Sequence, residues 1–306
     1  MKRIKIMFVS WHFPTPELLL DIYKRLTPNC AGIWKNIEAT LNPDEADYFI
    51  VIGGYKGKFD SKRALYFGQH GITSPNFKDF KNVECLASFP LDKHLNPGEL
   101  WIDYTYDELI NLQPSKKNKD LCCITTYQTH RKYYTDRIRF MQNFMPRYTN
   151  CDLFGKPSEK FKTDSILKNY YKKFLGRDDH KKVIGTYISG KNILVNYRYS
   201  LEFDQGWTVN CINERFYDAM LLWTMPIYFG AKNVEEFYPI NSFRYVDISK
   251  NDLHEEINKV ITLVNSNFRE EHIEDIREAR ELILNRYLTF PYIHYIINNL
   301  DKYIKK

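Results

Sequence analysis

The stretch CINERFYDAMLLWTMPIYFGA (residues 211–231) places Glu214 and Arg215 side by side at the start of a run that is otherwise apolar. Asn213 is a suitable N-cap, because its side-chain oxygen can accept a hydrogen bond from the first turn of a helix. A carboxylate such as Glu214 suits the positive end of a helix dipole, whereas the Arg215 cation is mildly unfavourable there. The stretch therefore predicts a helix over residues 213–224, followed by a strand over residues 226–230.

Two interpretations of this charged pair are open. In the first, Glu214 and Arg215 are an ordinary helix cap with a surface salt bridge. In the second, an anion joins the cation, because the N–H groups at a helix start and a guanidinium together form a site for a phosphate or diphosphate. Glu214 would then accept hydrogen bonds from a vicinal diol such as a ribose.

The rest of the chain alternates short apolar runs with segments of helical spacing, which is typical of an α/β protein. Strands are predicted at Ile4–Ser10, Tyr48–Ile52, Ala64–Phe67 and residues 121–125, 193–203 and 226–230. The strand at 193–203 is expected to end near Gln205, with a polar loop after it. Residues 95–120 are rich in Pro, Asn and Lys and are the best candidate for a link between two α/β halves. Two such halves suit a nucleotide-containing ligand at the carboxyl ends of the strands.

Composition excludes several classes of protein. The chain has 306 residues, of which 43% are hydrophobic, enough to bury a sizeable core. The formal net charge of +6 is compatible with an anionic ligand but far from that of a nucleic-acid tail, so no nucleic-acid partner is expected. Neither half carries a GxGxxG or GxxxxGK[ST] fingerprint, which disfavours a dinucleotide dehydrogenase or a P-loop enzyme.

Cysteine spacing and hydropathy indicate the compartment. The six cysteines form no CxxC pair and have no histidine-rich companion spacing, so neither a metal site nor a disulfide framework is expected. No apolar run reaches the roughly 18 residues that a membrane-spanning helix needs. The apolar part of the start, IMFV, is too short for a signal peptide and predicts a strand. We therefore expect a soluble cytoplasmic protein without a transmembrane segment.

Four segments of the second half carry a family resemblance. Residues 197–206 read YRYSLEFDQG, residues 211–215 read CINER, residues 226–230 read PIYFG and residues 237–247 read FYPINSFRYVD. These segments resemble the motifs Y-K-F-x-L-x-F-E-N-S, Y-V-T-E-K, P-[IV]-x-x-G and F-x-P-x-S-F-x-x-V-x-D/H of glycosyltransferase family 10, the α-1,3/α-1,4-fucosyltransferases. The spacing matches that pattern without gaps through the Glu-Arg pair.

The resemblance implies an α/β fold of the GT-B architecture, with two Rossmann-like domains facing a central cleft. It implies an acceptor-side domain over residues 1–118, a donor-binding domain over residues 119–285, and a C-terminal helix at residues 286–306 that packs across both. The implied activity is an inverting, metal-independent transfer of fucose from GDP-fucose, the donor substrate, to a glycan hydroxyl. No separate cofactor is implied.

The resemblance also implies individual site residues. Glu214 would contact the ribose and Arg215 the diphosphate, since Arg keeps the charge of the family's Lys. The implied donor-binding residues are Arg131, Tyr197, Asp204, Gln205, Cys211, Asn213, Glu214 and Arg215. Gln205 and Cys211 stand where the family has Asn and Tyr. Another GDP-sugar or UDP-xylose therefore stays open as the donor.

Arg131 is the second implied cation. It follows the strand at residues 121–125 and starts the next helix, so it repeats the arrangement of a cation at a helix N-terminus. Arg131 and Arg215 together would neutralise the leaving diphosphate in place of a metal ion. The chain has no Asp-x-Asp, the usual sequence cue for a metal-dependent sugar-nucleotide site.

The resemblance leaves more than one candidate for the general base. Residues 66–77, YFGQHGITSPNF, resemble the family's Y-T-G-E-N-x-x-P-N-F, but its Glu is replaced by Gln69, and an amide takes no proton at pH 7. His70 is one candidate base, because its ordinary pKa is near neutrality. Glu17 or Asp204 could reach in instead, and Gln69 can still hydrogen-bond the acceptor. A third possibility is a non-catalytic module that binds a sugar nucleotide or a glycan.

Overall fold

The computed structural model describes residues 3–10, 15–53, 59–68, 84–90, 93–95, 97–124, 132–154 and 189–304. Within these ranges the strands form two sheets, one of six strands and one of five. Gln69, His70 and Arg131 lie outside the described residues.

The first sheet has the strand order β2-β3-β1-β4-β5-β6. Its strands are β1 (Ile4–Ser10), β2 (Ile33–Trp34), β3 (Ile37–Ala39), β4 (Tyr48–Ile52), β5 (Ala64–Phe67) and β6 (Ala87–Phe89). Each pairing is parallel except that of β2 with β3. The predicted bounds of β1, β4 and β5 agree with the structure.

Strand β4 shows why a continuous apolar run predicts a buried parallel strand. Ile50 and Ile52 belong to the large core cluster, whereas Phe49 and Val51 belong to a smaller, separate cluster. Alternate residues of a strand point to opposite faces of its sheet. Both faces of β4 are therefore covered, as expected for a parallel sheet.

The second sheet has the order β11-β10-β9-β7-β8 and is parallel throughout. Its strands are β7 (Lys119–Ile124), β8 (Cys151–Phe154), β9 (Tyr197–Thr208), β10 (Met225–Ala231) and β11 (Arg244–Tyr245). Two sheets of this kind, in sequence order, confirm the predicted α/β class.

Helices accompany both sheets. They are α1 (Pro16–Lys24), α2 (Tyr106–Asn111), α3 (Lys132–Phe144), α4 (Glu214–Leu221), α5 (His254–Val264), α6 (Phe268–Glu271), α7 (Ile273–Leu282) and α8 (Thr289–Ile297). A 3₁₀ helix, Ser189–Asn196, precedes β9, and a π-helical turn, Ile283–Tyr287, precedes α8. Among the described residues, no helix combines the length and the apolarity that crossing a membrane would need.

Strand β9 differs from its prediction at both ends. Residues 193–196 belong to the 3₁₀ helix, and the strand continues beyond Gln205 to Thr208. The continuation is possible because β10 follows it through a register shift: Phe229 pairs with Phe203, whereas Ala231 pairs with Thr208. β9 therefore bulges between those two pairs, and bulges of this kind re-aim side chains near active sites.

Helix α4 is shorter than predicted: it ends at Leu221, whereas the prediction extends to residue 224. Trp223 adopts a left-handed backbone conformation with φ of 60°. The Thr224 N–H then donates to the Ala219 carbonyl at 3.0 Å, which closes the helix end. The Thr224 hydroxyl donates to the Leu194 and Tyr197 carbonyl oxygens and so anchors the turn that leads into β10.

The segment predicted as a link carries more structure than its composition suggests. It contains α2, which begins with a capping box formed by Thr105 and Glu108. Gly98 forms a parallel bridge with Leu288, and its N–H donates to the Tyr287 carbonyl at 3.0 Å. This segment is therefore bound firmly to the C-terminal part of the chain.

The C-terminal part also contacts the first sheet through aromatic rings. Phe290 lies 5.4 Å from Phe8 and Tyr292 lies 6.2 Å from Phe67, measured between ring centroids. Such edge-on contacts add to the stability of a buried aromatic cluster. The domain boundaries after residues 118 and 285 stay a prediction.

The close approach at Gly98 gives a stability test. A Cβ added there would lie 2.9 Å from the Tyr287 carbonyl oxygen and 3.2 Å from Cε2 of Tyr217. Gly98→Ala should therefore lower the free energy of unfolding by about 1–3 kcal/mol, the usual cost of overpacking, as measured by urea denaturation. The control Ile110→Ala removes an exposed side chain of α2 and should change it by less than about 0.5 kcal/mol. Equal stability of Gly98→Ala and the wild type would contradict this account.

Candidate active site

The site is built where the end of β9 meets the start of α4. The buried Asp204 carboxylate accepts hydrogen bonds from the Tyr228 hydroxyl on β10 at 3.0 Å and from the side-chain amide of Asn213. The Asn213 side-chain oxygen in turn accepts from the Arg215 backbone N–H at 3.1 Å. Asn213 is therefore the N-cap of α4, as the sequence predicts, and Asp204 holds that cap against the sheet.

Arg215 reaches from the first turn of α4 to the neighbouring strand. Its Nη1 donates to the carbonyl oxygen of Ile124, the last residue of β7, at 2.7 Å. Burial lowers the pKa of this guanidinium, but the charges of Glu214, Glu202 and Asp204 outweigh burial and raise it above the usual value. Arg215 is therefore a permanent positive charge at the carboxyl edge of the second sheet.

A second arginine, Arg137, joins the site, although it is not among the site residues that the motifs predict. Its side chain on α3 is buried, and Nη2 donates to the Asp204 carbonyl oxygen at 2.8 Å. The guanidinium lies over the rings of Tyr133 and Tyr134, at 5.4 and 5.1 Å from their centroids. Burial and the charge of Arg215 lower its pKa to about 10, so Arg137 is still charged at neutral pH.

The spacing of Arg137 is a signal that the sequence does contain. Tyr133 and Tyr134 precede it by four and three residues, which places them on the same face of a helix. That face continues into the buried Phe140 and Phe144. An arginine in line with an apolar helical face is a candidate for a buried cation, since such a charge needs partners inside the fold.

Three carboxylates of the site are almost completely buried. Glu202 is 2% exposed, Asp204 4% and Asp218 0%. Burial raises the pKa of Glu202 to about 7, and it raises the pKa values of Asp204 and Asp218 to about 6. The charges of Lys191 and Arg215 act in the opposite direction on Glu202. These groups titrate close to neutral pH, which is common at functional sites.

Lys191 is a further cation that is not among the site residues predicted from the motifs. Its Nζ lies 2.6 Å from Oδ2 of Asp218 and 3.8 Å from Oε1 of Glu214. The other oxygen of Asp218, Oδ1, accepts from the backbone N–H of Trp101 at 2.9 Å. One side of α4 is thereby connected to the segment between the two sheets, which lies within residues 95–120.

Gly230 explains the glycine of the PIYFG segment in physical terms. The Tyr228 hydroxyl accepts from the Ala231 N–H at 3.2 Å while it donates to Asp204, so the phenol folds back over residue 230. A Cβ at Gly230 would overlap the phenol and lie 2.8 Å from Cβ of Asp204. Only glycine leaves room for the Tyr228–Asp204 pair.

The other sequence-predicted residues are placed differently. Cys211 lies close to the cluster, and burial, followed by the charges of Asp204 and Glu214, raises the pKa of its thiol. Gln205 is exposed next to Asp204. Tyr197 is not brought to the cluster: it begins β9, where its hydroxyl donates to Asp152 at 2.6 Å and accepts from Lys119 at 3.2 Å.

The distance along β9 explains why Tyr197 is separate. Strand residues advance by about 3.3 Å each, so the seven steps from Tyr197 to Asp204 span roughly 23 Å. Tyr197 therefore lies at the opposite edge of the sheet from Asp204. Tyr197 is therefore separate from the cluster around Asp204 and Arg215.

Comparisons with known proteins agree with this geometry at the level of the fold. No protein-family model matches the chain, and no curated protein matches it. A crystal structure of an α1,3-fucosyltransferase with GDP superposes with a TM-score of 0.50 at 15% identity, over 95% of this chain and 93% of that one. The α/β fold of the GT-B type expected from the sequence is thereby confirmed, whereas membership of family 10 stays a prediction.

Two other solved structures are similar at lower scores. An α1,3-fucosyltransferase crystal structure has a TM-score of 0.48 at 15% identity, over 93% of this chain and 91% of that one. The S. aureus MnaA–UDP co-structure has a TM-score of 0.45 at 12% identity, over 100% and 99% of the two chains.

The buried Glu202 predicts a pH dependence of stability. Its pKa of about 7 in the folded chain exceeds the ordinary value for glutamate, about 4.3, so the folded state binds more protons between those two pH values. The free energy of unfolding should therefore fall as pH rises through this window, and by about 1 kcal/mol between pH 6 and pH 8. Glu202→Gln should remove this part of the slope in urea titrations at several pH values.

Glu281→Gln, which changes an exposed glutamate of α7, is the matched control and should keep the wild-type slope. An identical slope in Glu202→Gln and the wild type would show that the carboxylate is ionised throughout this range.

Proposed function

We propose that this chain is an inverting glycosyltransferase that binds a nucleotide sugar at the start of α4 and transfers the sugar to a glycan hydroxyl. GDP-fucose is the favoured donor. The observation that carries the proposal is the placement of Arg215, a permanent cation in the first turn of a helix at the carboxyl edge of a parallel sheet. Ligands bind at this edge in open α/β sheets, and helix starts favour phosphates.

The charge of Arg215 is available to an anion. Among the described residues, the ion pairs around α4 are made by Lys191 and not by Arg215. The Ile124 carbonyl holds one nitrogen of the guanidinium, so the remaining N–H groups can donate to phosphate oxygens. Arg131, which lies outside the described residues, is proposed as a second cation that shares the charge of the leaving diphosphate.

Charge neutralisation by fixed cations is the proposed catalytic principle. When the bond to the sugar breaks, negative charge develops on the diphosphate, and donors that are already in position stabilise it without reorganisation. Arg215 meets this requirement because its helix turn is capped by Asn213, which Asp204 holds in turn. Glu214, beside it, is proposed to accept the hydroxyls of the ribose.

The proposed general base is His70. An inverting transfer needs a group that takes the proton of the acceptor hydroxyl as it attacks the anomeric carbon. Asp204 is a poorer candidate, since it is buried and its carboxylate already accepts from Tyr228 and Asn213. Glu17 lies exposed in the first turn of α1 and stays open as an alternative. Gln69 is proposed to hydrogen-bond the acceptor.

Replacing Arg215 tests the binding step. Arg215→Ala should weaken the binding of GDP more than tenfold, which corresponds to about 1.4 kcal/mol or more, because a charge-assisted contact is lost. Isothermal titration calorimetry measures the change, and Arg215→Lys should retain part of the affinity because it keeps a positive charge. Arg277→Ala, which removes a partly exposed arginine paired with Glu274 on α7, is the control. Unchanged affinity for both GDP and UDP in Arg215→Ala would refute the proposed site.

Replacing His70 tests the chemical step. His70→Ala should lower the release of GDP from GDP-fucose at least a hundredfold while the affinity for GDP is kept, because only the proton acceptor is removed. His254→Ala, at an exposed histidine of α5, should have wild-type turnover. Near-wild-type turnover in His70→Ala would direct attention to Glu17.

A second candidate donor is favoured by two particular residues. Gln205 and Cys211 stand where the resembled family has Asn and Tyr, and both are placed beside Asp204 or its cap. Another GDP-sugar or UDP-xylose would use the same cations with different contacts to the sugar. Thermal-shift measurements against a panel of nucleotide sugars distinguish these donors, and binding without turnover would favour a non-catalytic binding module.

A further inference from the structure

Lys191 occupies a position that relieves an electrostatic conflict on α4. Glu214 and Asp218 are four residues apart on this helix, so their carboxylates lie on one face, where like charges repel. The Nζ of Lys191 lies 2.6 Å from Asp218 and 3.8 Å from Glu214. The ammonium group thereby pairs with the buried carboxylate and stands next to the partly exposed one.

Asp218 fixes Lys191 in this position. Its side chain is completely buried, and its second oxygen is held by the Trp101 backbone N–H at 2.9 Å. The next residue, Asn192, makes a similar contact: its side-chain oxygen accepts a hydrogen bond from the Asp103 N–H at 2.7 Å. The Asp103 N–H therefore holds the 3₁₀ helix that carries Lys191 directly, and the Trp101 N–H holds Asp218, the partner of Lys191 on α4.

Glu214 lies close enough to this ammonium group for the charge to act on its side chain. A glutamate side chain at a helix start has several rotamers, and ordering such a side chain costs conformational entropy when a ligand binds. A cation held nearby favours one of these rotamers before the ligand arrives, which lowers that cost. The charge of Lys191 also lowers the pKa of the buried Glu202 on β9, although burial has the larger effect and raises that pKa to about 7.

We propose that Lys191 is a positioning residue of the donor site, which orients the Glu214 carboxylate toward the ribose hydroxyls of a nucleoside diphosphate. Asp218 links Lys191 to the segment between the two sheets, because it bonds both Lys191 and the Trp101 N–H. The inference rests on the proposed function, since it assigns a role within the same site. It adds a residue that acts through Glu214 and does not itself touch the diphosphate.

The test measures preference for the ribose diol. The probes are the nucleoside diphosphate that the wild type binds more tightly, GDP or UDP, and its 2′,3′-dideoxy analogue. The wild type should bind the natural nucleotide at least tenfold more tightly. Lys191→Met should reduce this ratio to less than threefold, mainly through weaker binding of the natural nucleotide, whereas affinity for the dideoxy analogue should change less than threefold. A purely structural role of Lys191 would weaken both probes equally.

Further variants keep the test decisive if Lys191→Met does not fold. Glu214→Gln changes a partly exposed side chain and should remove the diol preference by itself, and Lys191→Arg, which keeps the cation, should retain most of it. The double variant Lys191→Met/Glu214→Gln should bind the natural nucleotide no more weakly than Glu214→Gln alone, because the two residues act through one contact.

The outcomes separate this inference from the function on which it rests. Wild-type protein that binds neither GDP nor UDP would overturn both. A tenfold diol preference that survives in Lys191→Met or in Glu214→Gln would overturn the inference alone and leave Arg215 as the basis of the proposed function.

Discussion

The buried carboxylate of Asp204 is the constraint on which the site depends. Its oxygens accept from Tyr228 on β10 and from Asn213 ahead of α4, and its backbone carbonyl accepts from Arg137 on α3. One residue of β9 therefore fixes the adjacent strand and two helices at the same edge of the sheet. An isolated carboxylate at this depth would be strongly destabilising, so the partners around Asp204 are a requirement of its burial.

Features that depend on neighbours in sequence could be predicted. The apolar runs of β1, β4 and β5 predict their strands because burial on both faces requires apolar residues at successive positions. The start of α4 could be predicted because Asn213 is a cap whose hydrogen bond spans two residues. The adjacent charges Glu214 and Arg215 are conspicuous in an apolar stretch. This contrast is what indicates a candidate site at the start of α4.

Features that depend on distant residues could not be predicted. Asp218 meets Trp101 across 117 positions, and Arg137 meets Asp204 across 67. The contact of Asp218 with Trp101 leaves no local pattern in the sequence. The spacing of Arg137 marks it as a candidate buried cation but does not identify Asp204 as its partner. Tyr197 shows the converse: its motif resembles that of a donor-binding segment, but the strand begins at this residue and so places it at the far edge. The residue at which β9 starts depends on its pairing with β7 and β10. That pairing register cannot be read from the sequence of β9 itself.

The carboxylates around α4 pose a problem for a site that is proposed to bind an anion. Glu202, Asp204 and Asp218 are buried and have raised pKa values, so near neutral pH they carry less than full charge. The remaining negative charge on Glu202 and Asp204 raises the pKa of Arg215, and that on Asp218 holds Lys191 in place. A cation fixed in this way neither loses its proton nor moves when charge develops on a leaving group, and such preorganisation is the property that electrostatic catalysis requires. The acidic residues are therefore the means by which the cations are kept in position.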